Sequence, residues 1–165
     1  MAGDASFDVV SDFDQQELVN ALDQARREMA TRYDFKGSKS ELELAKAEII
    51  LRADSESRAR AMRDLLESKA IRRGLSLKVF DWGPIEEAGG NTVRQQIGLR
   101  RGLPDDLAKK ISKLIRDEFP KVKSQIQGDA VRISGKSKDE LQRVIARLRQ
   151  EGEGYPVALQ FENYR

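Results

Sequence analysis

Neither cysteine nor histidine occurs anywhere in the 165 residues. Disulfides, thiol nucleophiles, Cys/His zinc sites, imidazole bases and Ser-His-Asp triads are therefore excluded together. What remains is carboxylate or lysine chemistry, Mg²⁺ held by Asp and Glu, and binding without turnover. Aromatic residues are scarce, at 6% with a single Trp. Long apolar runs are missing as well. No stretch approaches the roughly 20 apolar residues that cross a bilayer. The opening Met1-Ala2-Gly3-Asp4 has neither the basic nor the apolar part of a secretory leader. The expectation is a cytoplasmic chain with no membrane partner.

Hydrophobic residues at 39% suffice for a core, and charged residues at 35% make the surface strongly polar. The length allows one mid-sized domain or two of roughly 80 residues. Net charge is only +2, but it is unevenly spread. The first 83 residues hold 14 Lys/Arg against 16 Asp/Glu, and the rest hold 16 against 12. Basic character therefore sits in the second half.

Hydrophobic periodicity repeats one order of elements twice. Ser6-Phe7-Asp8-Val9-Val10 reads as a strand, and Leu18, Leu22, Ala25 and Met29 form a helical stripe behind Asp14 and Glu17. Leu42 and Leu44, then Ile49 to Leu51, read as a hairpin. Ser55 to Arg73 reads as a helix ended by Gly74, and Leu75 to Phe80 as a returning strand. Asp81 to Asn91, with Gly83-Pro84 and Gly89-Gly90, has no period and reads as a linker. The pattern then restarts. Thr92 to Leu99 alternates, with Gln95 the exception on the apolar side. Pro104 to Phe119 is the clearest helix, and Val122 to Gln127 with Val131 to Ser134 forms a hairpin about Gly128-Asp129. Ser137 and Glu140 open the last helix, and Val157 to Phe161 is the last strand.

This order predicts an α+β fold, a tandem of two ferredoxin-like βαββαβ domains with helices on one face of each antiparallel sheet. The expected boundaries are 1–82, a linker at 83–91, and a basic second domain at 92–165. Each domain alone has a modest core. The pattern allows two placements of the first strand, at home or exchanged into the second domain's sheet.

A sheet covered on one side leaves its other face free to bind. In the second domain that face carries Arg94, Gln96, Lys121, Lys123, Gln125, Gln127 and Arg132, joined by Lys136 at the next helix start. Lysine and arginine attract phosphates, and glutamine amides can donate to and accept from bases or phosphate oxygens. The bland alternative is a solvated polar face. No aromatic lies on it, unlike RNA-recognition sheets that stack bases on central strands. By alternation Phe161 points inward and Tyr155 and Tyr164 sit at strand ends, leaving stacking to strand ends, Trp82 or the first domain. Gly135-Lys136-Ser137 lacks the spacing of a Walker loop and reads as a turn, yet the helix start beside it suits an anion. Gly98-Leu99-Arg100-Arg101-Gly102 is a turn whose two guanidinium groups could clamp a phosphate. In the first domain, Val10, Ile50 and Phe80 read as a second apolar face, suited to a domain or subunit contact or, alternatively, to a base stacked on Phe80. No carboxylate cluster suggests metal catalysis, so neither an enzyme nor a cofactor is expected.

Several segments together resemble one family. They are Ser6-Phe7-Asp8-Val9-Val10-Ser11, Tyr33-Asp34-Phe35-Lys36-Gly37, Gln125-Ile126-Gln127-Gly128-Asp129-Ala130-Val131-Arg132 with Gly135-Lys136-Ser137-Lys138-Asp139-Glu140-Leu141-Gln142, and the terminal Leu159 to Arg165. The chain resembles the YajQ family of small bacterial proteins over nearly its whole length. The resemblance implies tandem ferredoxin-like domains, a cytosolic location and a non-catalytic nucleotide-binding role, with links to RNA, GTP and cyclic di-GMP signalling. It fixes no contacting residues, so the site is taken from the sheet face. Two functions follow as expectations. One is a binder of a nucleotide, a cyclic dinucleotide such as cyclic di-GMP, or RNA on the second sheet. The other is a protein-interaction adaptor or transcriptional co-regulator using the apolar first-domain face.

Overall fold

The computed structural model describes residues 4–35 and 37–165. Met1-Ala2-Gly3, and Lys36 of the Tyr33–Gly37 motif, lie outside the described residues. The elements in chain order are β1 (Ala5–Val10), α1 (Gln15–Thr31), β2 (Glu41–Leu44), β3 (Glu48–Ala53), α2 (Glu56–Arg72), β4 (Phe80–Ala88), β5 (Thr92–Leu99), α3 (Asp105–Glu118), β6 (Lys123–Gln127), β7 (Ala130–Gly135), α4 (Lys138–Gly152) and β8 (Gln160–Glu162). They form two sheets, β6-β7-β1-β8 and β2-β3-β5-β4, with every pairing antiparallel. Both have the strand order of a ferredoxin-like domain, and each carries two of the four helices.

The chain does not divide where its periodicity suggests. One compact unit is Met1–Asp12 with Arg101–Arg165, and the other is Phe13–Arg100. In the first, the split domain, β1 is an inner strand flanked by β7 and β8. In the second, the inserted domain, β5 fills the equivalent inner position between β3 and β4. The expected boundaries at 1–82 and 92–165 are thus corrected: Thr92 to Leu99 belongs to the inserted domain's sheet, and β1 takes the exchanged of its two expected placements, beside β7 and β8. Periodicity identifies a half-buried strand but carries no information about its partner.

The expected linker is instead a hairpin. Gly90 and Asn91 have φ of +72° and +59°, the pair of positive angles that a tight two-residue hairpin turn requires. Gly83 and Pro84 fall where the β4 register shifts, between Trp82 and Ile85. A Cβ at Gly83 would lie 2.7 Å from the Gln96 carbonyl oxygen, so glycine permits the close approach. The Gln95 amide donates to the Gly83 carbonyl at 2.8 Å, which accounts for a buried glutamine on the apolar side of β5. The strand expected at Leu75 to Phe80 begins only at Phe80. Ser76 caps a 3-10 turn over Leu77–Val79 by accepting the Lys78 N–H.

Local signals set the helices. Asp14 accepts the N–H groups of Gln16 and Glu17 to start α1, Ser55 accepts that of Arg58 to start α2, and Ser137 that of Glu140 to start α4. Gly74, at φ +80°, ends α2. In the split domain Phe7 and Val9 of β1 and Val131 and Ile133 of β7 pack against Ile111 and Ile115 of α3 and Val144 and Leu148 of α4. Burying each such side chain is worth roughly 1.5–3 kcal/mol. The inserted domain has its own core, centred on Leu18, Leu22, Ile49, Leu51, Met62, Leu66 and Ile97.

The apolar second face expected for the first domain does not exist. Val10 lies in the other sheet, and Phe80 is buried in the core beside Trp82. Ile50 remains on the open side, opposite Glu43 and Gln96. Beside it the Arg52 guanidinium pairs with Glu43 at 3.0 Å. This surface is charged rather than apolar, so the adaptor reading loses its docking face.

The return to the split domain passes through Gly102, whose N–H donates to the Ser11 carbonyl at 2.6 Å. Its φ is +82°, and a Cβ there would lie 2.5 Å from a carboxylate oxygen of Asp129. Gly128, at φ +62°, has open space where a Cβ would go. Gly102→Ala should therefore cost about 3 kcal/mol and Gly128→Ala only about 1 kcal/mol, the backbone term alone. Equal shifts of the two urea midpoints would contradict the close packing at Gly102.

Candidate phosphate-binding site of the split domain

In an antiparallel sheet, residues directly opposite each other share a face. The register places Lys123 opposite Ser134, Gln125 opposite Arg132 and Gln127 opposite Ala130. Across the next pairing, Ser6 meets Ser134 and Asp8 meets Arg132. The helix-free face therefore gathers Lys123, Gln125, Gln127 and Arg132, four of the eight expected residues. Lys121, in the turn before β6, and Lys136, in the turn after β7, stand at one end of it. Arg94 and Gln96 do not join them. They lie on the open face of the inserted domain's sheet, opposite Arg52 and Ile50.

Two cavities open beside β6. One, of about 730 Å³, is lined by Lys121, Lys123, Lys136, Ser134, Ser137 and the carboxylates Asp4 and Glu140, among others. The other, of about 620 Å³, is lined by Arg116, Lys123, Gln125, Arg132 and Ser134, among others. They share Val122, Lys123 and Ser134 and fall within the size range of small-molecule sites. Gln127 lines neither.

The first cavity concentrates charge. Lys121, Lys123 and Lys136 are all exposed, whereas the described ion pairs of this domain run through arginines. Chain geometry brings the three lysines together: β6 enters the sheet where β7 leaves it, and α4 begins two residues later. Ser137 satisfies the Glu140 N–H, and the first turn's other N–H groups have no partner within the helix, which adds positive potential. Asp4 and Glu140 supply acceptors on the same wall. Such a cavity can hold a phosphate on its lysines and hydroxyl donors on its carboxylates.

Arg132 differs from the role expected of it. Its Nε and one terminal nitrogen donate to the two carboxylate oxygens of Asp8 at 2.9 and 3.3 Å. The Asn163 amide donates to the second of those oxygens at 2.9 Å. Asp8 is only 7% exposed. The Arg132 hydrogen bonds, reinforced by Asn163, hold its carboxyl below the usual range despite opposition from burial. Arg132 is therefore paired and fixed in place, and it borders the second cavity as a held group. Alternation along β1 puts Asp8 on the open face, but only once β1 is known to lie in this sheet.

The suggested guanidinium clamp is also committed to structure. Arg100 donates to the carbonyls of Lys78 and Phe80 and pairs with Asp81 at 3.2 Å. Arg101 pairs with Asp12. Trp82 has the Arg63 guanidinium 4.5 Å from its ring centroid, so that aromatic is covered. The residues missed from the sequence are Asp4 and Arg116; alternation already puts Ser134 on the open face, and Ser137 and Glu140 read as the cap of the last helix. Arg116 lies off the apolar stripe of α3, and periodicity cannot distinguish a solvated helix charge from the wall of a cavity.

Residues 5–165 match the family model described as nucleotide-binding protein YajQ-like. A protein of Chloroflexus aggregans named "Nucleotide-binding protein" is 59% identical over 165 residues, covering 100% of both chains. Proteins with the same name from Roseiflexus castenholzii and a Synechococcus species are 53% and 58% identical, also over 100% of both chains.

Because the folded-state pKa of Asp8 is depressed, its contribution to stability is complete above its unfolded value near 4 and is lost as pH falls through the lower folded value. Asp8→Asn should cost about 2 kcal/mol at pH 7, and the gap to the parent should narrow in acid below about pH 4. Parallel stability curves down to pH 2.5 would contradict the ion pair.

Proposed function

The chain belongs to the YajQ-like family of nucleotide-binding proteins, and from that premise we propose that the split domain is its nucleotide-binding module. The cavity at the start of α4 is the phosphate-binding part. The observation that carries this reading is the convergence of Lys121, Lys123 and Lys136 on one cavity that also offers carboxylates. Lysine ammonium groups attract phosphate oxygens, and Asp4 and Glu140 can accept from ribose hydroxyls. A simple anion sink would have no use for the carboxylates.

The ligand is one with more than a single phosphate: a cyclic dinucleotide such as cyclic di-GMP, or a short run of RNA. Support comes from the second cavity, which shares Lys123 with the first and adds Arg116, Arg132 and the Gln125 amide. A second phosphate on that side would meet Arg116, with Gln125 free to donate or accept. The proposed role is binding without turnover, in keeping with a family described by nucleotide binding. Among the described residues, no helix is long and apolar enough to cross a membrane. The cytoplasm is the proposed location.

Thermal-shift screening against mononucleotides, cyclic dinucleotides and short RNAs should raise the melting temperature with the favoured ligand, by mass action. For that ligand, Lys123→Glu with Lys136→Glu should weaken binding at least tenfold and flatten the dependence of log Kd on log salt, because fewer phosphate contacts release fewer counterions. Both side chains are exposed, so the melting temperature without ligand should barely move. Unchanged affinity in the double variant would remove this site.

A further inference from the structure

The open sheet face offers no aromatic surface for a base, but the other side of the α4 start does. A third cavity, of about 310 Å³, is lined by Phe7, Leu141, Ile145, Gln142, Lys138 and Tyr164, among others. It adjoins the lysine cavity along two stretches of chain. Asp4 lines the lysine cavity and Ala5 this one. Ser137 and Glu140 line the first, Lys138 and Leu141 the second. One strand start and one helical turn form the wall between them.

Tyr164 is exposed yet held. Asn163, at φ +56°, turns the chain after β8, and its amide is bonded to Asp8. On the far side, Arg165 exchanges two backbone hydrogen bonds with Ser6, at 3.0 and 3.2 Å. The Tyr164 ring rests 6.1 Å from the Phe7 ring, centroid to centroid, and remains 58% exposed. An aromatic fixed by its flanking backbone loses little freedom when a planar group stacks on it. The Gln142 amide at the rim has both donor and acceptor capacity, as the edge of a base demands.

We propose that this cavity is a nucleobase subsite. The base lies against Tyr164, Leu141 and Ile145 while its phosphate reaches over the α4 start into the lysine cavity. The assignment rests on the phosphate-binding reading above and adds to it the part of the ligand that is recognised. Its place next to the lysine cavity, across that wall, selects a base attached to a phosphate in preference to an unrelated apolar molecule.

The test compares cyclic di-GMP, GTP and an RNA pentanucleotide with inorganic tripolyphosphate, which carries the charge without a base. The parent chain should bind at least one nucleotide probe more tightly than tripolyphosphate. Tyr164→Ala should erase about tenfold of that nucleotide affinity, as loss of base stacking does, and leave tripolyphosphate binding intact, while Tyr164→Phe should retain both. In the parent chain, the nucleotide should shift the methyl NMR signals of Leu141 and Ile145, and tripolyphosphate should not. This second readout does not depend on any variant folding. The subsite is overturned if no probe surpasses tripolyphosphate, if Tyr164→Ala weakens both ligand types equally or neither, or if those methyl signals stay still. Should Lys123→Glu with Lys136→Glu still weaken binding at least tenfold in that case, the phosphate site survives and only the base subsite falls.

Discussion

The structure of the split domain depends on β1 being gripped from both sides. Its backbone pairs with β7 from Ala5 to Val9 and with β8 from Asp8 to Val10, and neither neighbour is near it in sequence. Asp8 and Arg132 are 124 residues apart, and Asp8 and Asn163 are 155 apart. An inner strand must satisfy hydrogen bonds along both edges and present an apolar side to the helices. Phe7 and Val9 meet the second requirement, and Asp8 ties the opposite face to both neighbouring segments. With β1 absent, β7 and β8 would each be left with an open edge over an incomplete core.

That grip also explains how the site is assembled. The Asp8 carboxylate fixes Arg132 on one side, beside the cavity shared with Gln125 and Lys123, and Asn163 on the other, where the chain turns toward Tyr164. A single buried carboxylate thus orders groups in two walls of the candidate site, while the lysines of the first cavity remain exposed. In the split domain Arg101, Arg132 and Arg147 are tied to carboxylates, whereas Lys121, Lys123 and Lys136 of the proposed phosphate site are exposed.

The individual elements were legible in the sequence because their causes are local. Caps at Asp14, Ser55 and Ser137, the glycine at 74 and the stripe of α3 all act within a few residues. Pairing was not, because it is decided by distant contacts. The alternation in β1 and in β5 is that of any half-buried inner strand, and nothing in either names its neighbours. Gly83-Pro84 and Gly89-Gly90 resembled a linker because turn residues also serve bulges and hairpins. The site divided along the same line. Lys121, Lys123, Gln125 and Lys136 were readable from a hairpin and the helix that follows it. Arg94 and Gln96 were misplaced with their strand, and the partnership of Arg132 with Asp8 was invisible until β1 had a sheet.

The splicing of one domain into the other also bears on how a nascent chain matures. During translation β1 leaves the ribosome early, but β7 and β8, which must flank it, are made last. The segment 13–100 contains a complete sheet and core and can close while synthesis continues. Throughout that interval β1 is an apolar strand without partners, prone to pair with whatever edge it encounters. Brevity and a central charge are features that blunt such pairing, and in β1 that charge is the same aspartate that locks the finished sheet.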